Sequence, residues 1–279
     1  SRNSPDPIEL MKKYGADGVR AGMLFSAPAG NDLLFDEKLC EQGRNFSNKL
    51  WNAFRLIKTL EVTDEGKDQS LATDWINSRF NEVLNEVEDH FSKYRISDAL
   101  LSLYTFIWDD FCSWYLEIIK DNSISDKTYK GTLAVLDKIL KTLHPFMPFI
   151  TEELWNQIDD DRGYIMLSDY PSPEKFDDSL NNDFKKIFEI VTGLRKLKSD
   201  NKIKQIDVVE VMVNKKSEFD FNKYRDLIEK LSKTKDLLVV NEIPGNNPTL
   251  ISGKDTLCLA VEKSEDSKED TQKQIEYFE

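Results

Sequence analysis

Four long stretches of this chain carry apolar residues at helical spacing: Phe46–Leu60, Asp74–Phe91, Ile96–Ile119 and Tyr129–Leu143. The links between them are short. Asp64–Asp68 is polar and holds a glycine, and Asp121–Asp126 ends one helix and supplies caps for the next. Four amphipathic helices on tight connections have one economical solution, an up-and-down bundle that buries the four apolar stripes together. His144-Pro145 stops the fourth helix, because proline disfavours helical geometry in the residue before it. Pro148 then suits the first turn of a further helix, from Phe149 to Ile158. Ahead of the bundle, Ile8–Tyr14 reads as a short helix, with a second helical stretch reaching Arg20 and a Pro/Gly loop at 26–31.

Past the Pro171-Ser-Pro173 linker the period changes. A helix over Asp183–Lys198 precedes a strand at Asp207–Val213, a helix at Tyr224–Leu231, and strands at Leu237–Val240 and Leu257–Val261. The fold class is therefore mainly α, a helical bundle followed by a small α+β domain. The division expected is 1–33, a bundle over 34–168, an α+β domain over 174–262, and a charged tail from 263.

Charge is unevenly distributed. The 279 residues hold 51 Asp+Glu against 38 Lys+Arg, a net charge of −13, so the surface as a whole does not suit a polyanion. Residues 42–60 nevertheless carry Arg44, Lys49, Arg55 and Lys58 and no carboxylate. At about 100° per residue, Arg44, Arg55, Asn48, Asn52, Asn45, Leu56 and Lys49 share an arc of about 140°. Phe46, Leu50, Phe54 and Ile57 lie on the far side, facing a core. Asparagine pairs a donor with an acceptor, as base edges require, and Arg and Lys suit phosphates. A solvated face and an RNA-facing one both fit this spacing. A second basic run, Lys185–Lys204, sets seven cations against two acids; Arg195, Lys196 and Lys198 are its candidate contacts.

Other classes find little support. No run of 18 apolar residues, no basic-then-apolar signal, no Gly-rich phosphate loop, no GxSxG and no HExxH occurs. The expectation is a cytoplasmic protein without a membrane span. The three cysteines, Cys40, Cys112 and Cys258, lie far apart, and with only His90 and His144 they offer no metal-ligand spacing. Cys112 and Cys258 read as small hydrophobes. Trp108, Phe111, Trp114 and Tyr115 read as core residues flanking Asp109-Asp110. Glu152-Glu153 reads as a first-turn acidic pair favoured by the helix dipole, and His144 as a helix-end residue bonding a terminal carbonyl.

Several motifs carry a family resemblance. Tyr14-Gly-Ala-Asp-Gly-Val-Arg20 resembles the segment after the KMSKS loop of class I aminoacyl-tRNA synthetases. Ser4-Pro-Asp-Pro7 and Phe25-Ser-Ala-Pro-Ala-Gly-Asn-Asp32 resemble the valyl branch. So do Gly43-Arg-Asn-Phe-Ser-Asn-Lys-Leu-Trp-Asn-Ala-Phe-Arg55, Trp108-Asp-Asp-Phe-Cys-Ser-Trp-Tyr-Leu-Glu117 and His144-Pro-Phe-Met-Pro-Phe-Ile-Thr-Glu-Glu-Leu-Trp155. The likeness covers residues 4 to about 160 and weakens over 180–262.

The resemblance implies an anticodon-binding helical bundle, with 1–33 following the catalytic domain at the tRNA stem and 263–279 opening a coiled-coil arm. It implies tRNA(Val) as partner, together with the catalytic and editing domains of the same polypeptide, in a monomer. It places Arg44, Asn48, Lys49, Asn52, Arg55 and Leu56 on the anticodon loop. Leu56 stands where some relatives carry an aromatic, and it offers apolar contact in place of stacking. ATP with Mg would serve the full-length enzyme. The HIGH and KMSKS motifs that handle ATP are not in this sequence, so a fragment without adenylate chemistry and without a cofactor of its own is expected, as is the missing initiator Met. An isoleucyl fragment and a non-catalytic interaction protein descended from a synthetase are the alternatives.

Overall fold

The computed structural model describes residues 5–27, 35–204, 209–245 and 247–260. Contacts divide the chain into two compact units, Ser1–Asn181 and Asn182–Glu279. The fold is mainly α, a helical first unit and a second unit built on a mixed sheet.

The first unit begins with α1 (Pro7–Tyr14). Asp6 caps it by accepting from the Ile8 amide at 2.8 Å, and Gly15 ends it at φ +75°, a conformation that costs glycine little. Helix α2 (Ala16–Phe25) runs a turn further than Arg20. Helix α3 (Glu37–Thr59) starts on the Asp36 carboxylate, which accepts from the Lys38 amide at 2.9 Å. These two helices cross almost backbone on backbone. A Cβ on Gly43 would stand 2.6 Å from the Gly18 carbonyl oxygen, and one on Gly22 2.6 Å from the Cys40 nitrogen. Only hydrogen fits at those points.

The Asp64–Asp68 linker is more ordered than its composition indicates. Strand β1 (Val62–Lys67) wraps Ile124: the Ile124 amide donates to the Glu61 carbonyl at 2.9 Å and the Ser125 amide to Lys67 at 3.1 Å. A partner brought in from the far end of the next hairpin satisfies the backbone, so polar composition did not mean an open loop.

Helix α4 (Ser70–Ser92) is followed by one long rod: α5 (Ile96–Thr105), a π-helical segment (Phe106–Tyr115) and α6 (Leu116–Ile119). Helix α7 (Asp126–Leu143), capped by Ser125, completes the four helices the periodicity predicts. Phe46, Trp75, Phe80, Phe106, Phe111 and Tyr115 are among its largest buried side chains. The Tyr115 hydroxyl is paired with Thr132 Oγ1 at 2.7 Å, which keeps the one polar end of that ring satisfied. Asp110 turns to Arg79, Nε to Oδ2 at 3.0 Å, while Asp109 stays exposed.

Helix α8 (Pro148–Ile158) is three turns long, and Glu152 and Glu153 fall in its second turn, not the first. The helix begins at Pro148, one residue earlier than the hydrophobic pattern suggests, so the dipole argument for the pair does not apply. The end it would have helped is served by Asp17 of α2, whose carboxylate accepts from the Ile150 amide at 2.6 Å and the Phe149 amide at 3.4 Å. His144 bonds the Thr151 hydroxyl through Nδ1 at 2.7 Å and not a helix-end carbonyl. The Pro145 and Phe146 carbonyls are taken by Arg20 at 3.2 Å each, so the imidazole turns forward into α8.

Helix α9 (Asp178–Asp200) starts in the first unit and continues into the second. There β2 (Val209–Asn214), α10 (Arg225–Ser232), β3 (Thr234–Val240), β4 (Thr249–Ser252) and β5 (Asp255–Ala260) follow. The sheet order is β3-β2-β5-β4, with β2 and β3 parallel across α10 and the other pairs antiparallel. Val211, Val213, Leu237, Leu257 and Leu259 are buried in it; Phe184, Ile187, Val191 and Leu194 of α9 are buried, while Phe188 of the same face is half-buried. Strand β4 was not read from the sequence; a two-residue hairpin loop with Gly253 at φ +62° returns it to β5. The strand start at Asp207, the end of the β5 run at Val261, Ser4, residues 28–34 and the 263–279 tail expected to open a coiled-coil arm lie outside the described residues.

Candidate nucleic-acid interface

The polar arc of α3 is a surface. Phe46, Leu50, Ala53, Phe54 and Ile57 are buried, whereas Asn45, Asn48, Asn52 and Arg55 are exposed and Arg44, Lys49 and Leu56 half-buried. The six residues singled out from the sequence therefore share one face.

Their side chains are not equivalent. Arg44 and Lys49 stand near the two rims of the arc, and both are anchored. The Arg44 guanidinium reaches Glu41 at 3.1 Å and Asn45 Oδ1 at 3.2 Å, and lies 5.6 Å from the Tyr14 ring centroid. Tyr14 is itself fixed: its hydroxyl and the Lys13 ammonium both donate to Glu37 at 2.7 Å, which holds that carboxyl below its usual range. Lys49 donates to Ser113 Oγ at 3.0 Å and sits 4.2 Å above the Trp108 ring centroid. Between the rims, Asn48, Asn52 and Arg55 make no side-chain hydrogen bond or ion pair with a described residue. Two planar amides and one guanidinium thus keep their donors and acceptors available, flanked by cations held in place. That arrangement suits splayed bases and a phosphate backbone, which need adaptable base-edge groups and local positive charge.

The π-helical segment forms the neighbouring wall, and here sequence reasoning fell short. Phe111 and Tyr115 are buried as expected, but Trp108 and Trp114 are only half-buried. Tyr104 stacks on Trp108 at 5.5 Å and 24°, so that ring touches Tyr104 and Lys49. Nothing in the local spacing around Trp108 signals a lysine 59 positions away. Burial pushes the neighbouring Cys112 thiol up to about 12, with Lys49 acting in the opposite direction, so it is a thiol and not a nucleophile at neutral pH. Cys258 is buried and likewise pushed up.

The second basic run loses two of its three candidate contacts. Arg195 donates through Nε and Nη2 to the Leu231 carbonyl at 3.1 and 2.7 Å. Lys198 is 0% exposed, and its ammonium donates to the Ser232 and Lys233 carbonyls at 3.1 and 2.7 Å. These are the carbonyls that the end of α10 leaves without helical partners, next to Lys233 in the left-handed conformation. The two cations close a helix, and of the three candidates only Lys196 faces solvent.

A sequence model of the family described as the anticodon-binding domain of tRNA ligase matches residues 73–213. That range starts after α3 and runs from α4 to β2. The valine–tRNA ligase of Christiangramia forsetii is 48% identical over 209 residues, covering 72% of this chain and 24% of the relative. That of Bacteroides thetaiotaomicron is 49% identical over 221 residues, covering 76% and 25%. That of Fusobacterium nucleatum is 33% identical over 282 residues, covering 93% and 32%. The chain thus spans a quarter to a third of the length of the relatives it matches. No described helix is long and apolar enough to cross a membrane.

Proposed function

The chain belongs to the anticodon-binding domain family of tRNA ligases, and from that premise we propose that it is the tRNA-recognition part of a valine–tRNA ligase. In the whole protein, valine would be activated with ATP and Mg and passed to tRNA(Val), with the chemistry housed in catalytic and editing domains on the same polypeptide. Residues 1–33 would follow the catalytic domain, 34–168 would bind the anticodon arm, and 174–262 and 263–279 would form the α+β domain and the start of a coiled-coil arm. We place the protein in the cytoplasm as a monomer.

One observation carries the choice of surface. Asn48, Asn52 and Arg55 project unspent polar groups between two anchored cations, on a helix without a carboxylate after Glu41. In this reading Arg44 and Lys49 meet phosphates, Asn48, Asn52 and Arg55 meet bases and backbone, and Leu56 covers apolar base surface.

The test is an electrophoretic mobility assay of the 279-residue chain with valine tRNA and isoleucine tRNA transcripts at low and moderate salt. The expected result is a shift that weakens with salt and is stronger for valine tRNA. Equal retention of both transcripts, or of an anticodon-swapped valine tRNA, would overturn the assignment. The same chain is expected to support no valine-dependent pyrophosphate exchange.

A further inference from the structure

We propose that Trp108 and Ser113 are positioning residues for RNA recognition, holding the Lys49 ammonium at a fixed place on the rim of the α3 face. The proposal rests on the reading of α3 as the anticodon-facing helix.

Three contacts define the device. Lys49 Nζ stands 4.2 Å over the Trp108 ring and donates to Ser113 Oγ at 3.0 Å. The Ser113 hydroxyl spends its own proton on the Trp108 carbonyl at 2.8 Å, which leaves its lone pairs for the lysine. Beneath them Trp108 stacks on Tyr104, whose ring meets Phe46 of the α3 core at 4.9 Å. The lysine is therefore tied through two rings to the buried side of its own helix.

The π-helical segment explains why these residues can act together. In an α-helix, positions five apart point about 140° away from each other. The wider turn of a π-helix, with its i→i+5 bonds, brings them back onto one side, much as i and i+4 stand in an α-helix, and such segments are rare enough to need a reason. Trp108 and Ser113 are five apart and both lie within Phe106–Tyr115.

The partners are also of a particular kind. Arg44, at the other rim, is paired with a carboxylate, so part of its charge is compensated. Lys49 is held by a ring face and a hydroxyl, both neutral, and forms no ion pair with a described residue. Its rotamers are restricted while its full charge remains for a phosphate, which lowers the ordering cost on binding. Trp108 has Tyr104 on its ring and Lys49 over it, so it acts through the lysine and not as a stacking platform.

The experiment is fluorescence anisotropy of a labelled valine tRNA transcript with the 279-residue chain, scored for Kd and its salt dependence. Lys49→Met is expected to weaken binding about tenfold and to reduce the slope of log K against log salt by roughly 0.7, one phosphate contact on a single strand. Ser113→Ala and Trp108→Leu are expected to weaken it about two- to fivefold with the slope unchanged, since the charge stays. Neither is expected to cost anything further once Lys49→Met is present. A Trp108→Leu or Ser113→Ala loss that persists in the Lys49→Met background overturns the proposal. Ser113 is exposed, so Ser113→Ala keeps the test open should Trp108→Leu unfold the bundle. If Arg55→Glu weakens binding and Lys49→Met does not, this proposal alone falls. If neither does, or the parent chain binds no tRNA, the reading of α3 falls with it.

Discussion

Asp17, on α2, closes the N-terminus of α8: its carboxylate accepts the Ile150 amide at 2.6 Å, across 133 positions of sequence. One turn later on the same helix, Arg20 takes the Phe146 and Pro145 carbonyls, each at 3.2 Å. Two motifs that look separate in the sequence, the 14–20 segment and the 144–155 segment, are thus two halves of one joint. Burial pushes the Asp17 carboxyl up, while the Ile150 and Phe149 amides and the Arg20 charge act against that rise. A 5% exposed carboxyl is accommodated there because helix-end donors surround it.

Asp17→Ala removes the acceptor and leaves the first amides of α8 unpaired in a partly buried place. The expected loss is about 1–3 kcal/mol of stability by urea denaturation. Asp17→Asn keeps one amide oxygen for Ile150 and should lose less than about half of that. Equal losses in the two variants would show that the charge, and not the acceptor, matters.

Gly43→Ala gains up to about 1 kcal/mol of helix propensity on an exposed helix. Here the new Cβ would stand 2.6 Å from the Gly18 carbonyl oxygen and 3.0 Å from the Ala21 Cβ. Backbone atoms cannot swing aside as a side-chain tip can, so α2 and α3 must separate, at a cost of about 1–3 kcal/mol. A lowered denaturation midpoint is expected; an unchanged or raised one would mean that the crossing is looser than these distances require.

What could be read from the sequence follows from range. The buried stripe Phe46–Ile57 and the arc from Arg44 to Lys49 needed only the helical period, and both stand as read. Arg195 and Lys198 were misjudged because the α10 carbonyls that claim them come from more than 30 positions away. The π-helical geometry of Phe106–Tyr115 left no mark on the apolar period, so the contact of Trp108 with Lys49 was invisible. Strand β1 is held by the backbone around Ile124, which polar composition cannot announce.

Arg55→Glu replaces the exposed cation of the α3 face that no described residue pairs with. Since the side chain holds nothing in place, the fold should keep its denaturation midpoint within about 0.5 kcal/mol. Binding of valine tRNA should fall by about tenfold or more, through loss of one favourable charge and gain of a repulsive one. In the valine–tRNA ligase proposed above, tRNA charging is expected to weaken while adenylate formation stays nearly intact. Equal loss of both activities would indicate a folding defect.

Asp255 is expected to contribute to the acid limit of the second unit. Its carboxylate is 0% exposed and accepts from the Lys216 and Ser217 amides at 2.8 Å each and the Ser217 hydroxyl at 2.6 Å, with Lys186 Nζ at 3.5 Å. Burial pushes this carboxyl up, but the Ser217 hydroxyl, the two amides and Lys186 more than offset it, so it lies below the usual carboxylate range. A carboxyl depressed by folding binds its proton more weakly in the folded state than in the unfolded one. Its contribution is therefore complete above the unfolded value, about 3.9, and drains away as pH falls through the lower folded value. Denaturation followed by circular dichroism should show this part of the stability falling from about pH 4 downward. Asp255→Asn should cost about 1–3 kcal/mol at pH 7 and flatten that acid limb. A variant that loses stability at pH 7 yet keeps the full acid dependence would assign the limb to other carboxylates.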